Sequence, residues 1–180
     1  MQVSTDVEVI HELYGLIGEK TAHVGIVGLG YVGLPLALLF ARNGFRTTGL
    51  DTDAHKVEML RRGESYIHHI QGAAIAGLVN RKELRATDDF ANLRDMDVIV
   101  VCVPTPLGDH REPDLQYIRS TAEVISAHLR SGQLVVLEST TYPGTTEEVV
   151  LPILGRSGLR CPTAAYDVEN LALTSAEAEG

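Results

Sequence analysis

Cysteine, tryptophan and positive charge are scarce in this sequence. Two cysteines, Cys102 and Cys161, stand far apart among 180 residues, and tryptophan does not occur at all. So few cysteines exclude a disulfide-rich scaffold and indicate free thiols in a reducing compartment. The formal net charge of −9 argues against a general nucleic-acid-binding or acidic-membrane-binding surface, because both kinds of partner attract basic patches.

Long apolar segments are also missing from the sequence. It contains no run of about 18 apolar residues that would span a membrane, and its first residues lack the basic and apolar segments of a signal peptide. We therefore expect a cytoplasmic protein. The histidines His55, His68, His69 and His110 match no usual metal-ligand spacing, so we expect no metal site. The hydrophobic content of 44% is ordinary for a globular domain.

Predicted strands alternate with predicted helices along most of the chain. Short apolar segments at 23–28, 46–51, 84–87, 97–103 and 133–138 predict strands. Helical periodicity and capping residues predict helices at 31–43, from the N-cap Asp53 to about 62, and at 73–81, 115–129 and 146–154, whereas the segment at 63–70 is predicted to be a loop. This alternation predicts a Rossmann-type, doubly wound parallel sheet in a three-layer α/β/α arrangement. A sixth strand is not found, so we expect the sheet to be incomplete at its C-terminal end. We expect an N-terminal helix at 1–20, the nucleotide-binding domain at 21–160 and a disordered or weakly helical tail at 161–180.

The first predicted strand runs into a glycine motif, HVGIVGLGYVGLP at residues 23–35. Gly28, Gly30 and Gly33 form G-x-G-x-x-G between a strand and a helix, the arrangement that binds a dinucleotide pyrophosphate. Asp51 ends the second predicted strand, where a carboxylate accepts hydrogen bonds from the adenosine ribose and repels a 2′-phosphate. These features together predict NAD rather than NADP as the cofactor. The alternative is a structural glycine turn followed by a helix-capping aspartate.

Five motifs occur together in one order: GLGYVGLP, GLDTDAHKV, VCVPTPL, REPDL and ESTTYPGTTEEVVLPIL. In them, residues 7–160 resemble the UDP-glucose/GDP-mannose dehydrogenase family. The resemblance is greatest to its bacterial UDP-N-acetylglucosamine 6-dehydrogenases of polysaccharide biosynthesis. It implies the Rossmann fold, NAD as cofactor and a UDP-N-acetylhexosamine as substrate. It also implies that full-length members form homo-oligomers.

The resemblance also implies roles for individual residues around the cofactor. The pyrophosphate turn corresponds to Gly28, Gly30, Tyr31, Val32 and Gly33, and the two ribose contacts correspond to Asp51 and Lys56. Val103 and Thr105 correspond to the edge of the cofactor channel. Thr140 corresponds to a threonine that positions the catalytic water near the nicotinamide. Without the resemblance, Thr105 is better explained by a Thr-Pro turn. Thr140 is then better explained as the cap of the next helix.

The resemblance implies the reaction of this family, which is oxidation of the sugar C6 hydroxyl to a carboxylate with two NAD. A cysteine captures the aldehyde, a thioester forms, and water releases the acid. That cysteine, with its lysine and asparagine, belongs to later motifs that this sequence lacks. Cys161 lacks the flanking glycines, and Cys102 lies inside an apolar strand. We therefore expect the NAD-binding half of a truncated enzyme, inactive alone. The alternatives are a non-catalytic NAD(H)-binding or interaction module, and a dehydrogenase for UDP-glucose, GDP-mannose or UDP-N-acetylmannosamine.

Overall fold

The computed structural model describes residues 2–106 and 113–159, with side chains from residue 8 onward. The predicted tail at 161–180, with Cys161, lies outside the described residues, as does His110. None of the helices in the described ranges has the length and apolar character needed to span a bilayer.

Five parallel strands form one sheet at the centre of the fold. Each predicted strand is confirmed, with ends trimmed by at most two residues, and the bounds are β1 His23–Val27, β2 Arg46–Leu50, β3 Leu84–Thr87, β4 Val98–Val101 and β5 Leu134–Leu137. The strand order is β3-β2-β1-β4-β5. The chain therefore adds β2 and β3 on one side of β1 and then β4 and β5 on its other side, so the topological switch point lies between β1 and β4. The carboxyl ends of strands at such a switch point form the crevice in which open α/β sheets bind ligands.

Helices cover both faces of this sheet, as the predicted Rossmann fold requires. Their bounds are α1 Gln2–Gly18, α2 Gly33–Arg42, α3 Ala54–Arg61, α4 Gly72–Asn80, α5 Gln116–His128 and α6 Leu151–Leu154. Alternate strand residues face opposite sides, so Val24 and Ile26 of β1 join one apolar cluster and Val27 joins another. The first cluster packs α1 to α4 and the second packs α5 and α6.

Two predicted helices differ from the structure at their ends. The segment 146–154 was predicted as one helix, but Thr146–Val150 form a π-helical turn that leads into the short α6. The predicted helix at 31–43 begins at Gly33, because residues 30–32 form a turn between β1 and α2. That two-residue delay leaves Tyr31 and Val32 outside the helix, on the turn itself.

The outer side of β5 is the open edge of the sheet. All four β5 residues are only half-buried, whereas the β4 residues are buried. Within residues 2–106 and 113–159 the sheet has five strands.

Asp97 links the amino-terminal ends of the central strands β1 and β4. Its carboxylate accepts from the His23 amide at 2.8 Å and from Arg130 at 2.6 Å. The His23 ring is buried, with Nδ1 3.0 Å from the Asp95 carbonyl and Nε2 2.8 Å from the Thr48 hydroxyl. Because a carbonyl only accepts, Nδ1 carries the proton and Nε2 accepts from Thr48. Burial, followed by the charge of Arg46, lowers the pKa of His23.

Candidate dinucleotide-binding site

The glycine turn joins β1 to α2 at the switch point. Gly28 has a φ of 93°, and a Cβ placed on it would lie 2.6 Å from the Cys102 carbonyl oxygen. A Cβ on Gly33 would clash with the Gly28 carbonyl oxygen. A Cβ on Gly30 would meet nothing within 4 Å, so that position faces open space. The three glycines thus have the geometry of a tight turn, a close helix packing and a cradle that a ligand can enter.

Backbone amides at this turn are available to an anion. The carbonyls of Gly30 and Val32 accept from Leu34 and Leu36 at 3.1 Å, as the first turn of α2 begins. In the described ranges, no acceptor faces the amides of Gly30, Tyr31 and Val32. Unpaired amides at a helix N-terminus carry partial positive charge and bind phosphate. The cradle and these amides fit the pyrophosphate of a dinucleotide.

Asp51 directly follows β2 and is buried beside the turn. Its Oδ2 accepts from the Leu29 amide at 2.8 Å, and its Oδ1 accepts from the Asp53 amide at 2.9 Å. Lys56 Nζ lies 3.5 Å from Oδ2. A carboxylate has about four acceptor positions, so these three donors orient the group and leave capacity for a ribose hydroxyl. Asp51 therefore fits the ribose-binding role.

Lys56 reaches Asp51 because of how α3 begins. Asp53 is the N-cap, and its side chain accepts from the amides of His55 and Lys56 at 3.0 and 3.3 Å. This confirms the cap expected at that position and places Lys56 in the first turn of the helix. The structure thus brings Asp51 and Lys56 together with the glycine turn.

The remaining predicted residues lie at the carboxyl ends of β4 and β5. Val103 and Thr105 follow β4 and are half-buried, and Thr140 is exposed three residues beyond β5. The Ser139 hydroxyl donates to the Val103 carbonyl at 2.9 Å and so ties the two strand ends together. The capping alternative for Thr140 is wrong, because the next helical turn starts six residues later, at Thr146, and Thr145 occupies its N-cap.

Cys102 also lies at this edge but has the properties of a core residue. The side chain is buried and forms no disulfide. Burial, followed by the charge of Glu138, raises the pKa of its thiol to about 11. A protonated, buried thiol is a poor nucleophile. Cys102 is therefore unsuited to covalent catalysis, as its position in an apolar strand predicted.

One contact of the turn was missed at the sequence level. The Tyr66 hydroxyl donates to the Leu29 carbonyl at 2.6 Å, and Lys56 Nζ lies 6.0 Å from the centre of the Tyr66 ring. The segment around Tyr66 was expected only to be a loop. A single aromatic residue there gives no sequence signal, because the partner is 37 positions away.

Comparison with known proteins places this geometry in a family. The model of the NAD-binding domain of the UDP-glucose/GDP-mannose dehydrogenase family matches residues 22–170. A UDP-N-acetyl-D-glucosamine 6-dehydrogenase of Pseudomonas aeruginosa is 40% identical over 143 residues, which are 78% of this chain and 33% of that protein. A UDP-N-acetyl-D-mannosamine dehydrogenase of Pyrococcus horikoshii is 32% identical over 76% of this chain and 33% of its own length.

A solved structure shows the same relationship at the level of the fold. The GDP-mannose dehydrogenase of Pseudomonas aeruginosa superimposes with a TM-score of 0.73 at 31% identity, covering 76% of this chain and 33% of that one. The chain spans about a third of the length of the curated relatives it matches. The residues that the family model matches include the glycine turn and Asp51.

Proposed function

This chain belongs to the UDP-glucose/GDP-mannose dehydrogenase family, and from that premise we propose that it is the NAD-binding part of a nucleotide-sugar 6-dehydrogenase. The proposed reaction is oxidation of the C6 hydroxyl of a UDP-N-acetyl-D-glucosamine-type sugar to the uronic acid. The observation that carries the proposal is the open cradle at Gly30 beside the buried Asp51, whose carboxylate contacts two backbone amides and Lys56.

The cofactor is NAD, and the turn and Asp51 divide its binding between them. The amides of Gly30, Tyr31 and Val32 would bind the pyrophosphate, while Gly28 and Gly33 keep the turn close to β4 and α2. Asp51 and Lys56 would bind the adenosine ribose. A 2′-phosphate would bring two negative groups together at Asp51, which supports NAD over NADP.

The far side of the crevice would serve the reacting end of the cofactor. When bound, NAD supplies a hydride acceptor there. Val103 and Thr105 would line the channel, and the exposed Thr140 hydroxyl would orient the water that releases the acid, since a hydroxyl both donates and accepts. The Ser139 bond to the Val103 carbonyl would keep these two strand ends in register.

The substrate class is the second part of the proposal. The Pseudomonas aeruginosa relative described above is named for UDP-N-acetyl-D-glucosamine, and so is one from Salmonella typhi that is 32% identical over 141 residues. Others are named for UDP-N-acetyl-D-mannosamine. A UDP-N-acetylhexosamine is common to these names. We place the whole protein in the cytoplasm as a homo-oligomer that uses this substrate.

We propose that the 180-residue chain binds NAD but does not complete the oxidation by itself. Covalent capture of the aldehyde needs a thiolate, and Cys102 is buried and held as the thiol. The unreactive thiol of Cys102 also favours the second candidate function, a non-catalytic NAD(H)-binding module.

An activity assay with matched sugars tests the proposal. The chain is incubated with NAD and either UDP-N-acetylglucosamine or UDP-glucose, and NADH is followed by absorbance. We expect no sustained NADH production from the chain alone. In a separate calorimetric titration, we expect UDP-N-acetylglucosamine to change the affinity of the chain for NAD more than UDP-glucose does. Sustained turnover would contradict the inactivity, and indifference of NAD binding to every sugar would favour the non-catalytic module.

A further inference from the structure

We propose that Tyr66 is a positioning residue that holds the glycine turn in the form that binds the pyrophosphate. The inference rests on the proposed function, since it takes the turn as the NAD site. Tyr66 belongs to the loop between α3 and α4, outside both the glycine motif and the segment that carries Asp51. It acts through Leu29, the residue between the first two glycines of the motif.

Leu29 is held from two sides by side chains. Its amide donates to Asp51 at 2.8 Å, and its carbonyl accepts from the Tyr66 hydroxyl at 2.6 Å. These two bonds fix the peptide planes on either side of Leu29. The next amides in the chain, from Gly30 to Val32, then face no acceptor in the described ranges and remain available to a ligand.

Tyr66 is well placed for such a role because its own loop is anchored. Ile67 is almost fully buried in the core, and the Tyr66 ring packs against the same cluster. The Ser65 hydroxyl accepts from the Ile67 amide at 3.1 Å and donates to the Ile67 carbonyl at 3.0 Å. The anchored loop therefore fixes the position of the Tyr66 hydroxyl, so that its hydrogen bond to Leu29 restrains the geometry of the turn.

The environment also keeps the Tyr66 hydroxyl a donor. Burial, followed by the charges of Asp51 and Asp53, raises the pKa of Tyr66. The proton therefore stays on the oxygen across the pH range in which the protein is handled. Lys56 Nζ, 6.0 Å from the ring centre and 3.5 Å from Asp51, completes a cluster in which the ribose-binding acid and the tyrosine hold the same residue.

Tyr66→Phe is the informative variant because it keeps the packed ring and removes only the donor. Loss of one hydrogen bond that preorganises a turn weakens binding by about three- to tenfold. We expect that loss for NADH and ADP-ribose, which carry the pyrophosphate. Adenosine, which would contact Asp51 but not the turn, should bind the Tyr66→Phe chain within about twofold of the unchanged chain. Tyr14→Phe, a half-exposed tyrosine on α1, is the matched control and should change none of the three.

The affinities are measured by calorimetry or ligand-observed NMR, and the melting temperature of each chain is recorded. Selective loss of the two pyrophosphate ligands supports the proposal. Equal loss of all three, or no loss, contradicts it and indicates that Tyr66 serves only stability. Failure of the unchanged chain to bind NADH would instead contradict the proposed function, and the inference with it.

Hydrogen exchange on the unchanged chain provides a measurement that does not depend on the variant folding. We expect saturating NADH to slow amide exchange in peptides covering residues 28–34 and 64–68 together. Protection of the first segment without the second would contradict the restraint by Tyr66.

Discussion

The carboxylate of Asp51 accepts a hydrogen bond from the Leu29 amide at 2.8 Å. The acid that follows β2 is therefore attached to the middle of the glycine turn that follows β1. The two halves of the dinucleotide motif, 22 residues apart in sequence, form one hydrogen-bonded unit. A ligand that contacts the turn and the acid would meet a preassembled surface.

Asp51→Asn tests the charge at this position with little change in shape. The side-chain amide has one acceptor oxygen, so it loses the charge that a ribose diol prefers and also one of the two bonds from the Leu29 and Asp53 amides. We expect NADH affinity to fall by about 10- to 100-fold, or about 1.5–3 kcal/mol. NADPH affinity should fall less, because the repulsion of its 2′-phosphate is removed. Fluorescence titration with both cofactors checks this. An unchanged ratio between the two affinities would show that Asp51 does not select the cofactor.

Gly30→Ala and Gly33→Ala form a pair that separates binding from folding. A methyl group at Gly30 meets no protein atom within 4 Å, so unfolding free energy should change by only about 0.5 kcal/mol. The same methyl fills the cradle, and NADH affinity should fall at least about tenfold. At Gly33 the methyl clashes with the Gly28 carbonyl, and stability should fall by about 1–3 kcal/mol. Urea unfolding and NADH titration measure both; a stable, NADH-binding Gly30→Ala chain would disprove the cradle.

Much of this arrangement was predictable from the sequence, for physical reasons. Strands such as β4, with sequence VIVV, are buried on both faces, so an uninterrupted apolar run identifies them without knowledge of the fold. Asp51 and the glycines are recognisable because strand, turn and helix follow each other locally. The resemblance to the family named the remaining cofactor residues, whose roles stay predictions.

Other features were not predictable, because they depend on distant contacts or subtle backbone geometry. The Tyr66 bond joins positions 37 residues apart, and no local pattern marks either partner. The π-helical turn at Thr146–Val150 has the apolar spacing of an ordinary helix, so periodicity alone does not reveal it. The late start of α2 coincides with Gly33, where a Cβ would clash with the Gly28 carbonyl, and apolar periodicity does not reveal such a close approach.

His23 predicts a pH dependence of stability. The pKa of His23 is lowered from its ordinary value of 6.5, so the unfolded chain binds a proton more readily than the folded one. Its contribution is fully present above pH 6.5 and is lost as the pH falls through and below that value, with a slope of at most about 1.4 kcal/mol per pH unit. Urea unfolding between about pH 7 and 5 measures it. His23→Gln should flatten this part of the profile, and an equal slope in both chains would refute the assignment.

Cys102 should be unreactive in the folded protein. Its pKa of about 11 leaves little thiolate at neutral pH, and the side chain is buried. In a Cys161→Ser chain, where Cys102 is the remaining cysteine, a thiol reagent at about pH 7.5 should react slowly until urea unfolds the protein. Fast labelling of the folded Cys161→Ser chain would show that Cys102 is accessible and nucleophilic.

The central claim is that the turn and Asp51 form an NAD site, and a calorimetric titration of the unchanged 180-residue chain with NADH and NADPH tests it most directly. We predict saturable binding of one NADH per chain and binding of NADPH at least about tenfold weaker, or about 1.4 kcal/mol, because the Asp51 carboxylate repels a 2′-phosphate. Equal affinity for the two cofactors, or no binding of NADH by the folded chain, would contradict the claim.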